Sequence, residues 1–108
     1  MNRADRLLLD LVDALATATV LVARGRDDFD RDVAVPLAFE SLCNRVGDLA
    51  KQLAIVDSAR FSHPIFAQAA RNRDFIVHHY HRINRDALWV TVSRDFPALS
   101  ALVSELGE

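Results

Sequence analysis

The 108-residue sequence is poor in the features that mark disulfide-rich or membrane-spanning proteins. Its one cysteine, Cys43, excludes an internal disulfide, so a reducing compartment is expected and the thiol is interpreted as a small buried hydrophobic group. The longest uncharged apolar run near the N-terminus, residues 14–23, is too short to span a bilayer. The start, MNRADR, does not have the pattern of a signal peptide. We therefore expect a soluble, cytoplasmic protein with no membrane partner.

Strand signals are also nearly missing. The sequence has no alternating runs of valine, isoleucine and threonine, and no Asn-Gly or Asp-Gly hairpin turn. Hydrophobic residues make up 51% and charged residues 26%, which is the composition of a globular protein. The length suits one domain, residues 1–108, and the fold class predicted is all-α.

Apolar residues recur with helical spacing along most of the chain. The first predicted helix runs from Arg3 to Arg24, and Gly25 follows it where a left-handed cap is expected. Residues 25–32 are predicted to be a polar connection from which Phe29 packs back onto the other helices. The predicted core stripe of this helix consists of Ala4, Leu8, Leu11, Val12, Leu15 and Val22.

The second predicted helix begins between Asp32 and Pro36 and runs to about Val56. Its core stripe consists of Leu42, Val46, Leu49, Ala50, Leu53 and Val56. Gly47 lies in the middle of this helix, where glycine costs about 1 kcal/mol relative to alanine. We interpret it as the mark of a close helix crossing rather than as a functional residue.

Three more helices are predicted in the second half of the chain. They cover about residues 65–83, about residues 85–94 after an Asn84 cap, and a short segment that begins at Pro97. Short loops between amphipathic helices predict an up-and-down four-helix bundle with a short fifth helix. Surplus apolar residues such as Leu9, Val12, Leu37 and Phe39 predict a homodimer interface.

Charge is distributed unevenly, although the net charge is only −2. Residues 60–94 contain six arginines and two aspartates, so this segment carries +4 and the remainder −6. The same segment contains all the histidines, which are His63, His78, His79 and His81. A cationic patch on an acidic body suits a polyanion or an acidic partner. Codon bias is an alternative origin, since arginine outnumbers lysine twelve to one.

Residues 73–80, RDFIVHHY, place Arg73, His78 and Tyr80 within about two turns of the third predicted helix. Cleavage of RNA without a metal needs a base for the 2′-hydroxyl, a cation for the phosphorane and an acid for the leaving oxygen. Histidine can be the base or the acid, and the arginine fork matches two phosphate oxygens. A phosphate-handling site and a crowded, solvated helix face both remain possible from these residues alone.

Helix geometry places Arg73 and His78 on different sides of one helix. On an ideal helix Arg73 and Tyr80 are nearly eclipsed, about 10 Å apart along the axis, whereas His78 lies about 140° round from Arg73. One copy would therefore have difficulty directing both groups at one phosphate, but two copies meeting along this helix could do so. Arg71 shares the stripe of His78 and is either an auxiliary phosphate contact or a solvated arginine. Asp74 either orients Arg73 or forms an exposed ion pair.

The pattern R-x4-H-x-Y, made by Arg73, His78 and Tyr80, resembles that of HepT-like toxins of the HEPN superfamily. The similarity extends to ALWVTVSRDFPALSALV after the motif, to RVGDLAKQL in the second helix and to HPIF before the third. It is weakest in the first helix. Asp48 stands where the family commonly has glutamate, which puts one supporting hydrogen bond in doubt. Asn84 stands where aspartate is common and can cap a helix equally well.

The resemblance implies a homodimeric, HEPN-like, all-α ribonuclease that needs no metal or other cofactor. It would be the toxin of a type VII-like toxin–antitoxin system, cleaving RNA such as tRNA or mRNA. Arg73 and His78 would be catalytic, with Arg71, Asp74 and Asp48 in support. A cognate MntA-like nucleotidyltransferase antitoxin would neutralise it by transferring AMP onto Tyr80. The alternative is a non-catalytic HEPN helper that binds a nucleotidyltransferase or a nucleotide.

Overall fold

The computed structural model describes residues 2–79 and 84–106, and of residues 75–79 it describes the backbone alone. Every regular element in these ranges is helical, which confirms the predicted all-α class. The elements are α1 (Arg3–Val22), α2 (Gly25–Arg31), α3 (Ala34–Val56), α4 (Pro64–His79), α5 (Arg85–Val90), a π-helical turn (Thr91–Asp95) and α6 (Phe96–Leu106). None of the helices in the described ranges is both long and apolar enough to cross a membrane.

Helix α1 begins at a side-chain cap and ends close to a glycine. The backbone N–H of Asp5 donates to Asn2 Oδ1 at 2.8 Å, which satisfies one of the free donors of the first turn. The helix ends at Val22, two residues before the predicted end. Gly25 has a φ of 87°, a left-handed conformation that L side chains rarely adopt, so the left-handed glycine predicted after the first helix is confirmed.

Helix α2 occupies the segment that was predicted to be a polar connection, so that prediction was wrong. Two interactions explain the helix despite its polar sequence. Phe29 is fully buried, as expected, and anchors the segment to the core. Arg26 Nε donates to Asp30 Oδ1 at 2.9 Å, an i to i+4 pair that stabilises a helical turn.

The core lies where α1, α3 and the C-terminal helices meet. The predicted α3 stripe is buried except for Val56, which is 37% exposed at the end of the helix. The prediction for Val12 of α1 was wrong, since this residue is 46% exposed. It lies about 100° round the helix from Leu11, and Ala14 and Ala18 fill the contact instead.

An aromatic cluster joins α2, α3 and α5. The ring centroids of Phe29 and Phe39 are 5.0 Å apart, and Trp89 stacks on Phe39 at 5.8 Å with an interplanar angle of 12°. Phe39 is therefore a core residue of one copy and not surplus surface as predicted. Leu9 and Leu37 remain 55% and 58% exposed. The homodimer itself stays a prediction.

The C-terminal helices follow one another without the predicted interruption before Pro97. The N–H of Phe96 donates to the carbonyl of Thr91, five residues back, which makes the wide π-helical turn. Pro97 has no N–H to donate, and the wider π-helical turn just before it accommodates the proline within the continuous run of helix. The Asn84 cap is confirmed, since its Oδ1 accepts from the N–H groups of Asp86 and Ala87 at 2.8 and 3.1 Å.

Candidate active site on helix α4

Helix α4 carries the predicted catalytic motif and packs chiefly against α3. It starts at Pro64, and the N–H of Ile65 donates to His63 Nδ1 at 3.1 Å in the preceding turn. Phe66 is fully buried and contacts Phe61 edge to face, with ring centroids 5.4 Å apart. The N-terminal half of α4 is therefore anchored in the core. Residues 80–83, with which the predicted helix ended, lie outside the described residues.

Arg73 lies at a close approach of α4 to α3. The glycine opposite it is Gly47, and a Cβ atom built there would overlap Arg73 Cβ and lie 2.7 Å from the carbonyl oxygen of Ala69. Such separations are shorter than real Cβ atoms allow. The predicted close helix crossing is confirmed, and the structure adds that its partner is the predicted catalytic arginine.

The guanidinium of Arg73 is partly buried. Its Nη1 donates to Asp74 Oδ1 at 3.2 Å, with the two side chains 28% and 51% exposed. Its Nε is inaccessible to solvent and meets no acceptor among the described residues. Packing and one ion pair thus hold this cation in the described structure, and a supporting role for Asp74 stays a prediction.

The structure describes only part of the rest of the motif. His78 lies within α4 as backbone, in the same helix as Arg73, and its side chain lies outside the described atoms. Tyr80 lies outside the described residues altogether. Their roles stay predictions.

The other two residues predicted to support Arg73 form no hydrogen bond or ion pair with it in the described part of the chain. Arg71 is exposed on α4. Asp48, next to Gly47 on α3, accepts from Gln52 Nε2 at 2.8 Å. Gln52 in turn accepts from Arg3 Nη2 at 3.5 Å, so Asp48 belongs to a polar chain between α3 and α1. A supporting role for Asp48 in the site stays a prediction.

Ion pairs connect the predicted cationic segment to the rest of the chain. Arg60 Nη1 lies 3.3 Å from Asp5 Oδ1, and Arg60 Nη2 donates to the carbonyl of Leu106 at 3.1 Å. Asp86 accepts from Arg26, whose pKa is raised above its ordinary value by the hydrogen bonds to Asp86 and Asp30. Arg71, Arg85 and Arg94 are exposed and form no ion pair with the described residues. These arginines carry the cationic character that remains.

A small cavity between α4 and α6 was not anticipated from the sequence. Its lining includes the polar residues Gln68, Asn72 and Asp95, and it has room for about one water molecule. Burial raises the pKa of Asp95 above its ordinary value, and the charge of Arg94 opposes that shift. One feature of the sequence could have indicated irregular packing near Asp95. Pro97 lies two residues after it, and a proline within a helix is commonly accompanied by a local distortion of the helix.

Other titratable groups in the described structure do not form an obvious catalytic or metal site. Cys43 is 2% exposed, and burial raises the pKa of its thiol to about 12, with further contributions from Glu40 and Asp95. The interpretation of Cys43 as a buried hydrophobic group is confirmed. No group of three or more histidine, cysteine or acidic side chains with metal-binding geometry occurs within the described residues.

Comparison with known proteins gives one match. Residues 11–106 match the sequence model of the HepT-like family, described as Ribonuclease HepT-like. The match extends from the middle of α1 to the end of α6. No curated protein and no solved structure matches the chain.

Proposed function

Because the chain belongs to the HepT-like ribonuclease family, we propose that it is the toxin of a toxin–antitoxin pair and cleaves RNA without a metal, using Arg73 and His78. The observation that carries this proposal is the arrangement of Arg73. The aliphatic part of Arg73 packs against Gly47, and its guanidinium is partly buried. A cation held in this way, in the helix that also contains His78, suits recognition of a phosphodiester. A merely solvating arginine would have no need for such restraint.

The proposed reaction is attack of the RNA 2′-oxygen on the adjacent phosphorus. His78 removes the 2′-hydroxyl proton as the new P–O bond forms, and Arg73 neutralises the charge on the pentacoordinate phosphorus. A protonated His78 of a second copy donates a proton to the 5′-oxygen as the P–O bond to it breaks. The products are a 2′,3′-cyclic phosphate and a 5′-hydroxyl, so atoms and charge balance without a cofactor.

The reaction as proposed requires a homodimer. Positions 73 and 78 are separated by about 140° on one helix, so each phosphate would be bound between two α4 helices. The exposed part of α4, which includes Arg71 and Asp74, is available for such a meeting in the described structure. Light scattering should give twice the 12.1 kDa chain mass, and a monomer active on RNA would contradict this arrangement.

Control of the toxin is proposed to act on Tyr80. A cognate nucleotidyltransferase would promote attack of the phenol oxygen on the α-phosphorus of ATP, with loss of the phenol proton and release of pyrophosphate. The product would carry an AMP group and its negative charge close to Arg73, where it would compete with RNA. Intact-mass measurement after incubation with the partner and ATP tests this step, with Tyr80→Phe as the control that cannot accept AMP.

The catalytic proposal is tested with purified protein and RNA in the presence of EDTA. We expect His78→Ala and Arg73→Ala each to lower the cleavage rate by about 10²- to 10⁴-fold. His63→Ala is the matched control, since His63 is exposed and its one side-chain hydrogen bond among the described residues comes from the N–H of Ile65 in the first turn of α4. Cleavage by His78→Ala at the wild-type rate would refute the proposal. RNA or nucleotide binding without any cleavage would instead support the non-catalytic helper.

A further inference from the structure

A glycine is needed at position 47 because there is no room for a side chain, and not because the backbone conformation there demands one. It lies inside the 23-residue helix α3, and the one glycine of positive φ in the described structure is Gly25. Glycine destabilises a helix interior relative to alanine, so its presence at this position needs another reason. The surroundings supply it, because Gly47 is buried against α4 beside Ala69 and Arg73.

A methyl group at this position could not be accommodated by a side-chain rotation. One of its close neighbours would be the carbonyl oxygen of Ala69, which is part of the α4 backbone, and another would be Cβ of Arg73. To increase the distance to that oxygen from 2.7 Å to an ordinary 3.4 Å, the two helices would have to separate by at least 0.7 Å. A catalytic group needs placement to within about 0.5 Å, so this displacement is large on the scale that matters.

The ion pair cannot replace this restraint. Asp74 is the residue next to Arg73 on the same helix, so it moves with Arg73 when α4 moves. The contact with Gly47 joins Arg73 to a different helix, and it accompanies the burial of Arg73 Nε. In the described structure, the position of the guanidinium relative to the rest of the protein therefore depends on the glycine.

We infer that Gly47 is a positioning residue for Arg73: by lacking a side chain it allows α4 to approach α3 and sets the depth of the guanidinium at the phosphate site. The role in catalysis rests on the proposed ribonuclease activity. The placement of Arg73 by Gly47 can be measured independently of that activity.

The direct readout is the Nε–H group of Arg73 in nitrogen-15 NMR spectra, identified by its loss in Arg73→Lys. Wild-type protein should show this proton protected from exchange with water, because Nε is inaccessible. We expect Gly47→Ala to speed its exchange by at least about tenfold. Ala14→Gly is the matched control, since Ala14 is buried in α1 and removing its methyl group perturbs the core away from α4. This variant should leave the exchange of the Arg73 Nε–H unchanged.

The catalytic readout is a double-variant cycle on RNA cleavage. Gly47→Ala should lower the rate by about tenfold to a hundredfold when Arg73 is present. It should lower the residual rate of Arg73→Ala by a smaller factor, because the guanidinium is already gone and only the displacement of His78 with α4 remains. Equal losses in both backgrounds would indicate a general structural effect and would overturn the inference.

The outcomes separate the two proposals. Absence of RNA cleavage by wild-type protein, together with faster Nε–H exchange in Gly47→Ala, would refute the ribonuclease proposal and leave the positioning role standing. Unchanged exchange in Gly47→Ala would refute the positioning role. If Gly47→Ala fails to fold, Gly47→Ala combined with Arg73→Gly removes one of the two overlaps and should recover folding. A double variant no more stable than Gly47→Ala would overturn the inference.

Discussion

Replacing Arg73 by methionine should stabilise the fold while removing the proposed activity. Methionine keeps an unbranched, flexible stem in the contact with Gly47 and removes the buried Nε–H, which meets no acceptor among the residues that the structure describes. An unsatisfied buried donor costs about 1–3 kcal/mol. The pair with Asp74, in which the carboxylate is half exposed, contributes only about 0–1 kcal/mol. The free energy of unfolding should therefore rise by about 1 kcal/mol.

Urea unfolding followed by circular dichroism measures this change. For a domain of this size, about 1 kcal/mol moves the unfolding midpoint upward by roughly 0.5 M. Wild type and variant must be compared at one protein concentration, because dimerisation would couple stability to concentration. Arg71→Met is the matched control, since Arg71 is exposed on the same helix, and it should stay within about 0.5 kcal/mol of wild type.

A midpoint lower than that of wild type would refute the reasoning, because it would mean that Arg73 Nε has a partner that stabilises the fold. The expected combination of higher stability and lost cleavage would instead show that the chain retains an unfavourable buried group for its chemistry.

Three further predictions follow from the described contacts. Burial raises the pKa of Asp95 above 3.8, so its stabilising contribution is complete below that pH and is lost as the pH rises through the folded-state value. Asp95→Asn should therefore unfold at higher urea than wild type at pH 7, with the difference vanishing below about pH 3.8; a difference independent of pH would contradict this. The Cys43 thiol, with its pKa raised to about 12, should react with a disulfide reagent at pH 8 only after urea is added, and rapid reaction of the folded protein would count against its burial. Phe39→Ala should destabilise the protein by about 3–5 kcal/mol in thermal unfolding, because Phe39 is fully buried between two other aromatic rings; a loss below about 1 kcal/mol would mean that the cluster contributes little.

The long helices were predictable because local signals agree with one another. In α3 the apolar spacing, the early Pro36 and the end near Val56 all indicated the same element, and the structure gives Ala34–Val56. The short helix α2 was missed because its sequence is polar and depends on one buried side chain, Phe29, whose partners lie elsewhere in the chain. The π-helical turn was missed because Pro97 was interpreted as a break, whereas a wider turn accommodates it.

The candidate site was predictable in its residue types and not in its contacts. Arg73 could be selected because arginine suits phosphate chemistry, and the neighbouring Asp74 could be expected to pair with it. Gly47 could be assigned to a helix crossing, but the identity of the residue across that crossing depends on how two helices align. Helical spacing within α3 contains no information on that alignment, so the link between Gly47 and Arg73 required the structure.

The stacking of Trp89 on Phe39 has a practical consequence, because Trp89 is the single tryptophan of the chain. Ultraviolet emission excited at the red edge of absorption then originates from one known place, the junction of α2, α3 and α5. The guanidinium of Arg26, 5.8 Å from the Trp89 ring, makes that emission sensitive to any loosening of the junction. The protein thus contains an unlabelled optical probe with which loosening or unfolding of this junction can be followed in real time.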